Sequence, residues 1–122
     1  HVEFLKQASQ YGDLYVCVGS DKNSINLKNK TPVFSEEERV FIVNNLKPVK
    51  QAFISKGSGF LDFDYALDEL GIDIFIVNED GDTPEKRNLC EKRNIKYIVL
   101  ERIPAEGLPN RSTSSLREKL NY

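Results

Sequence analysis

The sequence contains one histidine, His1, and no methionine. A single histidine excludes a site built from several histidines within this chain. Residue 1 is not an initiator methionine, so a preceding segment is expected. Cysteine is scarce as well: Cys17 lies in an apolar run and Cys90 in a helical pattern. With no metal-type Cys/His spacing, the two read as reduced thiols in a cytoplasmic setting. No apolar run reaches the length of a membrane span, and no signal-peptide pattern is visible. A formal charge of −2 over 122 residues gives no strong field toward nucleic acid or an anionic membrane. What is present, 39% hydrophobic and 30% charged residues, suits one globular domain, residues 1–122, with a single core.

Residues 2–11 put Val2, Leu5 and Ala8 on one helical face, and Gly12 is a natural stop. Leu14 to Val18 is a continuous apolar run, the mark of a strand covered on both faces. Residues 19–34 are polar and read as one long loop. Ser35 and Glu38 form a capping box that opens a helix toward Pro48. A short strand follows at 51–55, then a Lys56-Gly57-Ser58-Gly59 turn and a helix over about 62–70. Ile72 to Val77 is the next buried strand. It leads into Asn78-Glu79-Asp80-Gly81-Asp82. Thr83 caps a helix that carries Pro84 in its first turn and runs to about Arg93. Lys96 to Leu100 is the last strand, and a final helix is expected from Ser112 or Thr113 to near Asn121. Alternating strands and helices predict an α/β fold, a Rossmann-like parallel sheet with helices on both faces. In such sheets ligands bind at the carboxyl ends of strands, and the polar and glycine-rich residues collect there. Gly57-Ser58-Gly59 is not a P-loop, because no Gly-Lys-Ser/Thr follows.

Three stretches in order resemble the cytidylyltransferase-like nucleotidyltransferases, the superfamily with a His-x-Gly-His signature. His1-Val2-Glu3-Phe4-Leu5-Lys6-Gln7-Ala8 resembles the first helix from the second signature histidine, and Gly12 to Val18 the strand after it. Lys30-Thr31-Pro32-Val33-Phe34-Ser35-Glu36-Glu37-Glu38-Arg39 resembles the lysine-bearing loop and Glu-Arg helix. Arg111-Ser112-Thr113-Ser114-Ser115 resembles the Ser-Thr-rich signature of the last helix. Within the family the chain looks similar to glycerol-phosphate cytidylyltransferases and heptose-phosphate adenylyltransferases. It departs from the former in having Leu108-Pro109-Asn110-Arg111 before the last signature. The family's first strand, its turn and its first histidine are not in this sequence. The resemblance therefore implies a domain that is incomplete at its N-terminus, with its first strand missing.

The resemblance implies magnesium-dependent transfer of a CMP or AMP group from CTP or ATP to a small phosphorylated polyol or sugar. Pyrophosphate is released. A substrate phosphate is already a nucleophile, so catalysis is positioning and charge stabilisation. His1, at a helix N-terminus that favours anions, is the first catalytic candidate. Lys30 and Arg111 join it as phosphate contacts; each also reads as a solvated charge. Ser112, Thr113 and Ser114 are ordinary N-cap residues. Together they also make an anion site for the β- and γ-phosphates. Asn78, Glu79 and Asp80 read either as a turn or as contacts to base and ribose. Asp21 reads as a loop cap or a contact to the acceptor or magnesium, and Arg39 as a partner of Glu36 or another acid, or a phosphate-side residue. No protein metal ligands are assigned. The resemblance also allows a homodimer. Two other readings are a non-catalytic nucleotide-binding regulatory module and one domain of a larger bifunctional sugar-activating enzyme.

Overall fold

A computed structural model describes residues 1–112, 116 and 118–120. Helix α1 (Val2–Ser9) ends before Gly12, and the chain enters strand β1 (Tyr15–Val18). Helix α2 (Asp21–Lys28) lies where a loop is expected. Its caps explain it. The Ser20 side chain accepts the Asn23 N–H at 3.1 Å, and Asn29 closes the helix in the left-handed conformation at φ 53°. It carries no apolar stripe, so periodicity does not reveal it. Helix α3 (Glu36–Asn44) has the expected capping box. Glu38 N–H donates to Ser35 Oγ at 3.2 Å, and the Ser35 N–H donates to the Glu38 carboxylate at 3.4 Å.

Strand β2 (Gln51–Ile54) and helix α4 (Asp64–Glu69) follow. Strand β3 (Ile74–Asn78) runs into a 3₁₀ turn, Glu79–Gly81. Helix α5 (Pro84–Lys92) is capped by Thr83, whose hydroxyl accepts the Lys86 N–H at 3.2 Å. Strand β4 (Lys96–Leu100) is the last strand. The expected final helix lies mostly outside the described residues. Where described, Leu116 N–H donates to the Ser112 carbonyl at 3.0 Å and Leu120 N–H to the Leu116 carbonyl at 3.2 Å, which is helical spacing.

The α/β class and the parallel pairing agree with expectation, but the strands form two halves rather than one sheet. β1 pairs with β2 in parallel, Tyr15 opposite Gln51. β3 pairs with β4 in parallel, Ile74 opposite Lys96. Helices cover both faces. On one face Leu5 of α1 and Val40 and Val43 of α3 pack with Val16, Val18 and Ala52. On the other, Phe63, Leu67 and Cys90 from the α4 and α5 side pack against Cys17, Phe75 and Tyr97. Alternation along β1 explains the split, since Val16 and Val18 point one way and Cys17 the other. The Phe63 and Phe75 rings stack at 4.6 Å. That contact ties α4 to β3.

Candidate functional site

The carboxyl ends of the strands carry the polar residues, and each end is held by its own network. After β1, Asp21 and Glu36 cap each other's helices. The Asp21 N–H donates to the Glu36 carboxylate, and the Glu36 N–H donates to the Asp21 carboxylate, both at 3.1 Å. Two helix N-termini thus meet, and each receives a carboxylate from the other. Arg39 Nη2 completes the group at 2.6 Å from Asp21 Oδ1. The Glu36 N–H, then the Arg39 guanidinium, holds the Asp21 carboxyl below its ordinary range. Arg39 therefore pairs with Asp21, not with the helical neighbour Glu36 that local spacing suggests. Its Nε also donates to the Phe34 carbonyl at 3.1 Å, which anchors the start of α3.

The loop after β2 is latched to α2 by Asn23. Its side-chain amide donates to the Gly59 carbonyl at 3.0 Å, and its oxygen accepts the Gly59 N–H at 2.8 Å. Ser55 holds the loop from the other side: its hydroxyl donates to the Asp62 carbonyl at 2.8 Å and accepts the Gly57 N–H at 3.0 Å. Asn23 and Ser55 are the two buried polar residues of the described core, and both are satisfied. A side chain at Gly57 would place its Cβ 2.2 Å from the Asp62 carbonyl oxygen, so the close approach requires glycine.

After β3, Asn78 Oδ1 accepts the Gly81 N–H at 2.9 Å and shapes the 3₁₀ turn. Lys86 Nζ donates to the Gly81 carbonyl at 2.7 Å. Glu79 and Asp80 both reach Arg102, just beyond β4. The Arg102 N–H donates to Glu79 Oε1 at 2.9 Å, and its guanidinium contacts Asp80 Oδ2 at 3.0 Å. The other arm of that guanidinium donates to the Arg111 carbonyl at 3.0 Å. Arg102, which sequence reasoning passes over, thus joins Glu79, Asp80 and the backbone of Arg111. Asp82 belongs to a separate cluster. Arg87 holds it at 2.9 and 2.8 Å and the Tyr97 hydroxyl donates at 2.9 Å. Arg87 first, then Tyr97, holds the Asp82 carboxyl low.

His1 occupies the N-cap of α1 and is exposed; its carbonyl accepts the Leu5 N–H at 3.0 Å, and its side chain makes no cap bond. Lys30 is exposed between α2 and α3. No contact among the described residues joins either to the other candidates. Ser112 is half-buried, whereas Thr113 and Ser114 lie outside the described residues. No three metal-binding side chains are grouped among the described residues. Asp21, considered for magnesium, is already engaged by Arg39 and by the backbone of α3. No helix among the described residues is long and apolar enough to cross a membrane.

The family model for cytidylyltransferase-like domains matches residues 1–119. The chain belongs to the cytidylyltransferase-like family of nucleotidyltransferases. It is 35% identical over 103 residues to an FAD synthase of Aciduliprofundum boonei, covering 82% of this chain. It is 36% identical over 90 residues to an FAD synthase of Methanopyrus kandleri, covering 70% of this chain. These matches span 66% and 57% of the relatives' own length. A solved structure, a lipopolysaccharide core biosynthesis protein from Thermoplasma volcanium, superimposes with a TM-score of 0.65 at 25% identity. That likeness covers 83% of this chain and 82% of the other. That likeness agrees with a Rossmann-like α/β fold.

Proposed function

We propose that this chain is the transferase domain of an enzyme that moves a nucleotidyl group from a nucleoside triphosphate to a phosphorylated small molecule. The observation that carries this reading is the family match over residues 1–119. The polar strand ends described above support it. A phosphate oxygen of the acceptor attacks the α-phosphorus, the bond to the β-phosphate bridging oxygen breaks, and pyrophosphate leaves. No side-chain nucleophile is needed. His1, Lys30 and Arg111 supply positive charge or donors to the phosphates. Ser112, with Thr113 and Ser114, takes the β- and γ-phosphates. The Asn78–Asp80 turn takes base and ribose. Asp21 and Arg39, committed to each other, frame the acceptor side. The described residues do not form a cage for magnesium. Magnesium bound with the triphosphate would supply counter-charge to its phosphates.

The relatives' names refine donor and acceptor. FAD is the product of joining AMP to the phosphate of flavin mononucleotide. ATP and flavin mononucleotide are therefore the first pair to test. CTP with a polyol or sugar phosphate, favoured by the glycerol-phosphate resemblance, becomes the second. The test is pyrophosphate release by the gene-length protein with each triphosphate and acceptor plus magnesium, read beside thermal melting. A bound nucleotide at a hundredfold excess over its Kd stabilises the native state by about 2.7 kcal/mol. Turnover with ATP and flavin mononucleotide is expected. No melting shift and no pyrophosphate with any of ATP, CTP, GTP or UTP would refute the transferase reading. A melting shift without turnover on any acceptor would favour a nucleotide-binding regulatory module.

A further inference from the structure

A cavity of about 670 Å³ lies between the two half-sheets, and Gly19, Asp62 and Lys86 line it at the carboxyl ends of β1 and β3. Asp62 sits in the turn before α4, and its backbone is fixed. Its carbonyl accepts the Ser55 hydroxyl at 2.8 Å, and Gly57 packs on the same carbonyl too closely for any side chain. The carboxylate, by contrast, is uncommitted. Among the described residues no donor or cation pairs with it, and α4 receives no side-chain cap bond. Asp62 Oδ2 lies 3.9 Å from where a side chain at Gly19 would begin. Glycine there leaves the carboxylate open to the cavity. Burial, then the Asp62 charge, raises the Cys17 thiol, which agrees with a carboxylate on the β1 side. Asp21 and Arg39 lie beyond that same strand.

Lys86 stands on the β3 side. It is half-buried in the first turn of α5, and its Nζ donates to the Gly81 carbonyl at 2.7 Å. That bond uses one of the three hydrogens of the ammonium. The end of the cavity is thus polarised, with an acid toward β1 and an ammonium toward β3. A phosphorylated acceptor enters this field in one direction. Its phosphate is drawn toward Lys86 and repelled by Asp62, because like charges side by side are disfavoured. The tail turned toward Asp62 has to donate, since a carboxylate only accepts. Polyol phosphates, sugar phosphates and flavin mononucleotide all carry hydroxyls that can do so. Two carboxylate oxygens also match two neighbouring hydroxyls.

We propose that Asp62 reads the hydroxyls of the acceptor, accepting hydrogen bonds from a hydroxylated chain while the acceptor's phosphate lies toward Lys86. This rests on the transferase reading above and names the group that selects the acceptor within it. No bond is made or broken at Asp62; it sets specificity. A site built to hydrogen-bond a hydroxyl discriminates against the analogue that lacks one, because its own polar group is then left unpaired. Asp62 is half-buried, so water partly replaces a missing hydroxyl. A hydrogen bond to a charged group then corresponds to a discrimination of about tenfold to a hundredfold.

Steady-state pyrophosphate release by the gene-length protein tests this with two acceptor pairs. One pair is flavin mononucleotide and the flavin bearing an unhydroxylated pentyl phosphate, with ATP. The other is glycerol phosphate and propyl phosphate, with CTP. In the pair that turns over, the parent should favour the hydroxylated member at least about tenfold in kcat/KM. Asp62→Ala should raise the KM for that member at least about tenfold and remove the preference. The KM for the triphosphate should stay within about twofold. Asp62→Asn, which keeps one accepting oxygen, should fall between. A parent with no preference, or an Asp62→Ala protein that keeps it, overturns the proposal and leaves the transferase reading standing. An equal rise in both KM values also overturns it, because a displaced loop does the same. If thermal melting shows Asp62→Ala unfolded, Asp62→Asn decides alone, and an undiminished preference overturns the proposal. A parent that turns over none of the four acceptors removes the transferase reading, and this proposal with it.

Discussion

Replacing Asn23 by alanine removes the latch between α2 and the loop after β2. Both lost hydrogen bonds go to one residue, Gly59, at 3.0 and 2.8 Å. Each such bond contributes about 0.5–1.5 kcal/mol net. Asn23 is 6% exposed, while Gly59 is half-buried. Water therefore reaches the freed Gly59 groups, and the full penalty for a buried orphan does not apply. Alanine is also the better helix former, which returns up to about 0.7 kcal/mol. The balance is a loss of roughly 1–2 kcal/mol. For a chain this long, that lowers the Tm by roughly 4–8 °C. Denaturant titration should show a lower midpoint at an unchanged slope, since the surface exposed on unfolding is the same. The local readout is the Gly59 amide, whose exchange should quicken at least about tenfold. A stability within about 0.5 kcal/mol of the parent, with unchanged exchange at Gly59, would refute the latch.

Arg102→Ala should cost under about 1 kcal/mol, because its pair with Asp80 is largely exposed. It should still raise the KM for the triphosphate more than it lowers kcat, and an unchanged KM would detach the Glu79–Asp80 turn from nucleotide binding. Gly57→Ala drives a Cβ against the Asp62 carbonyl and should destabilise by roughly 1–3 kcal/mol; a melt matching the parent would show that the loop relaxes freely. Acid titration of stability should steepen below about pH 4. Asp21 and Asp82 have folded pKa values below their unfolded ones, so their contribution is present above the unfolded value and lost as pH falls through the folded one. Asp82→Asn should flatten that acid limb, and an unchanged limb would contradict the Arg87–Tyr97 cluster. Burial, then the nearby Asp62 charge, pushes the Cys17 thiol up to about 11. Alkylation of the native protein should therefore be slow at neutral pH and rise about tenfold per pH unit toward pH 10, with Cys90 inert at 0% exposure; free-thiol rates at neutral pH would refute this.

What was legible in the sequence was local. Ser35 and Glu38 sit three apart, and a reciprocal cap needs nothing beyond that spacing. Leu14 to Val18 and Ile72 to Val77 read as strands because a parallel strand covered on both faces is largely apolar, and the structure begins them at Tyr15 and Ile74. Helix α2 was hidden because Asp21–Lys28 has no apolar face, and its two caps, Ser20 and Asn29, look like loop residues. The signal was there: a serine and an asparagine nine apart can bracket two helical turns. Arg39 shows the limit most plainly. Local spacing points to Glu36 on its own helix, whereas the partner is Asp21, on another helix. Asn23 and Arg102 escaped for the same reason, because their partners are distant in sequence and neither sits in a motif. His1, Lys30 and Arg111 came from resemblance, and no local rule places them beside one another.

The polar networks divide between the two half-sheets. Asp21, Glu36, Arg39, Asn23 and Gly59 belong to the β1–β2 side. Asn78, Glu79, Asp80, Arg102 and Arg111 belong to the β3–β4 side. What joins the sides among the described residues is largely apolar: Cys17 of β1 and Phe75 of β3 both pack against the cluster of Phe63, Leu67, Cys90 and Ile95. Apolar contact is non-directional, so it holds the halves together without fixing the register of their ends. In-line phosphoryl chemistry demands that register, because a displacement of about 1 Å can cost a hundredfold in rate.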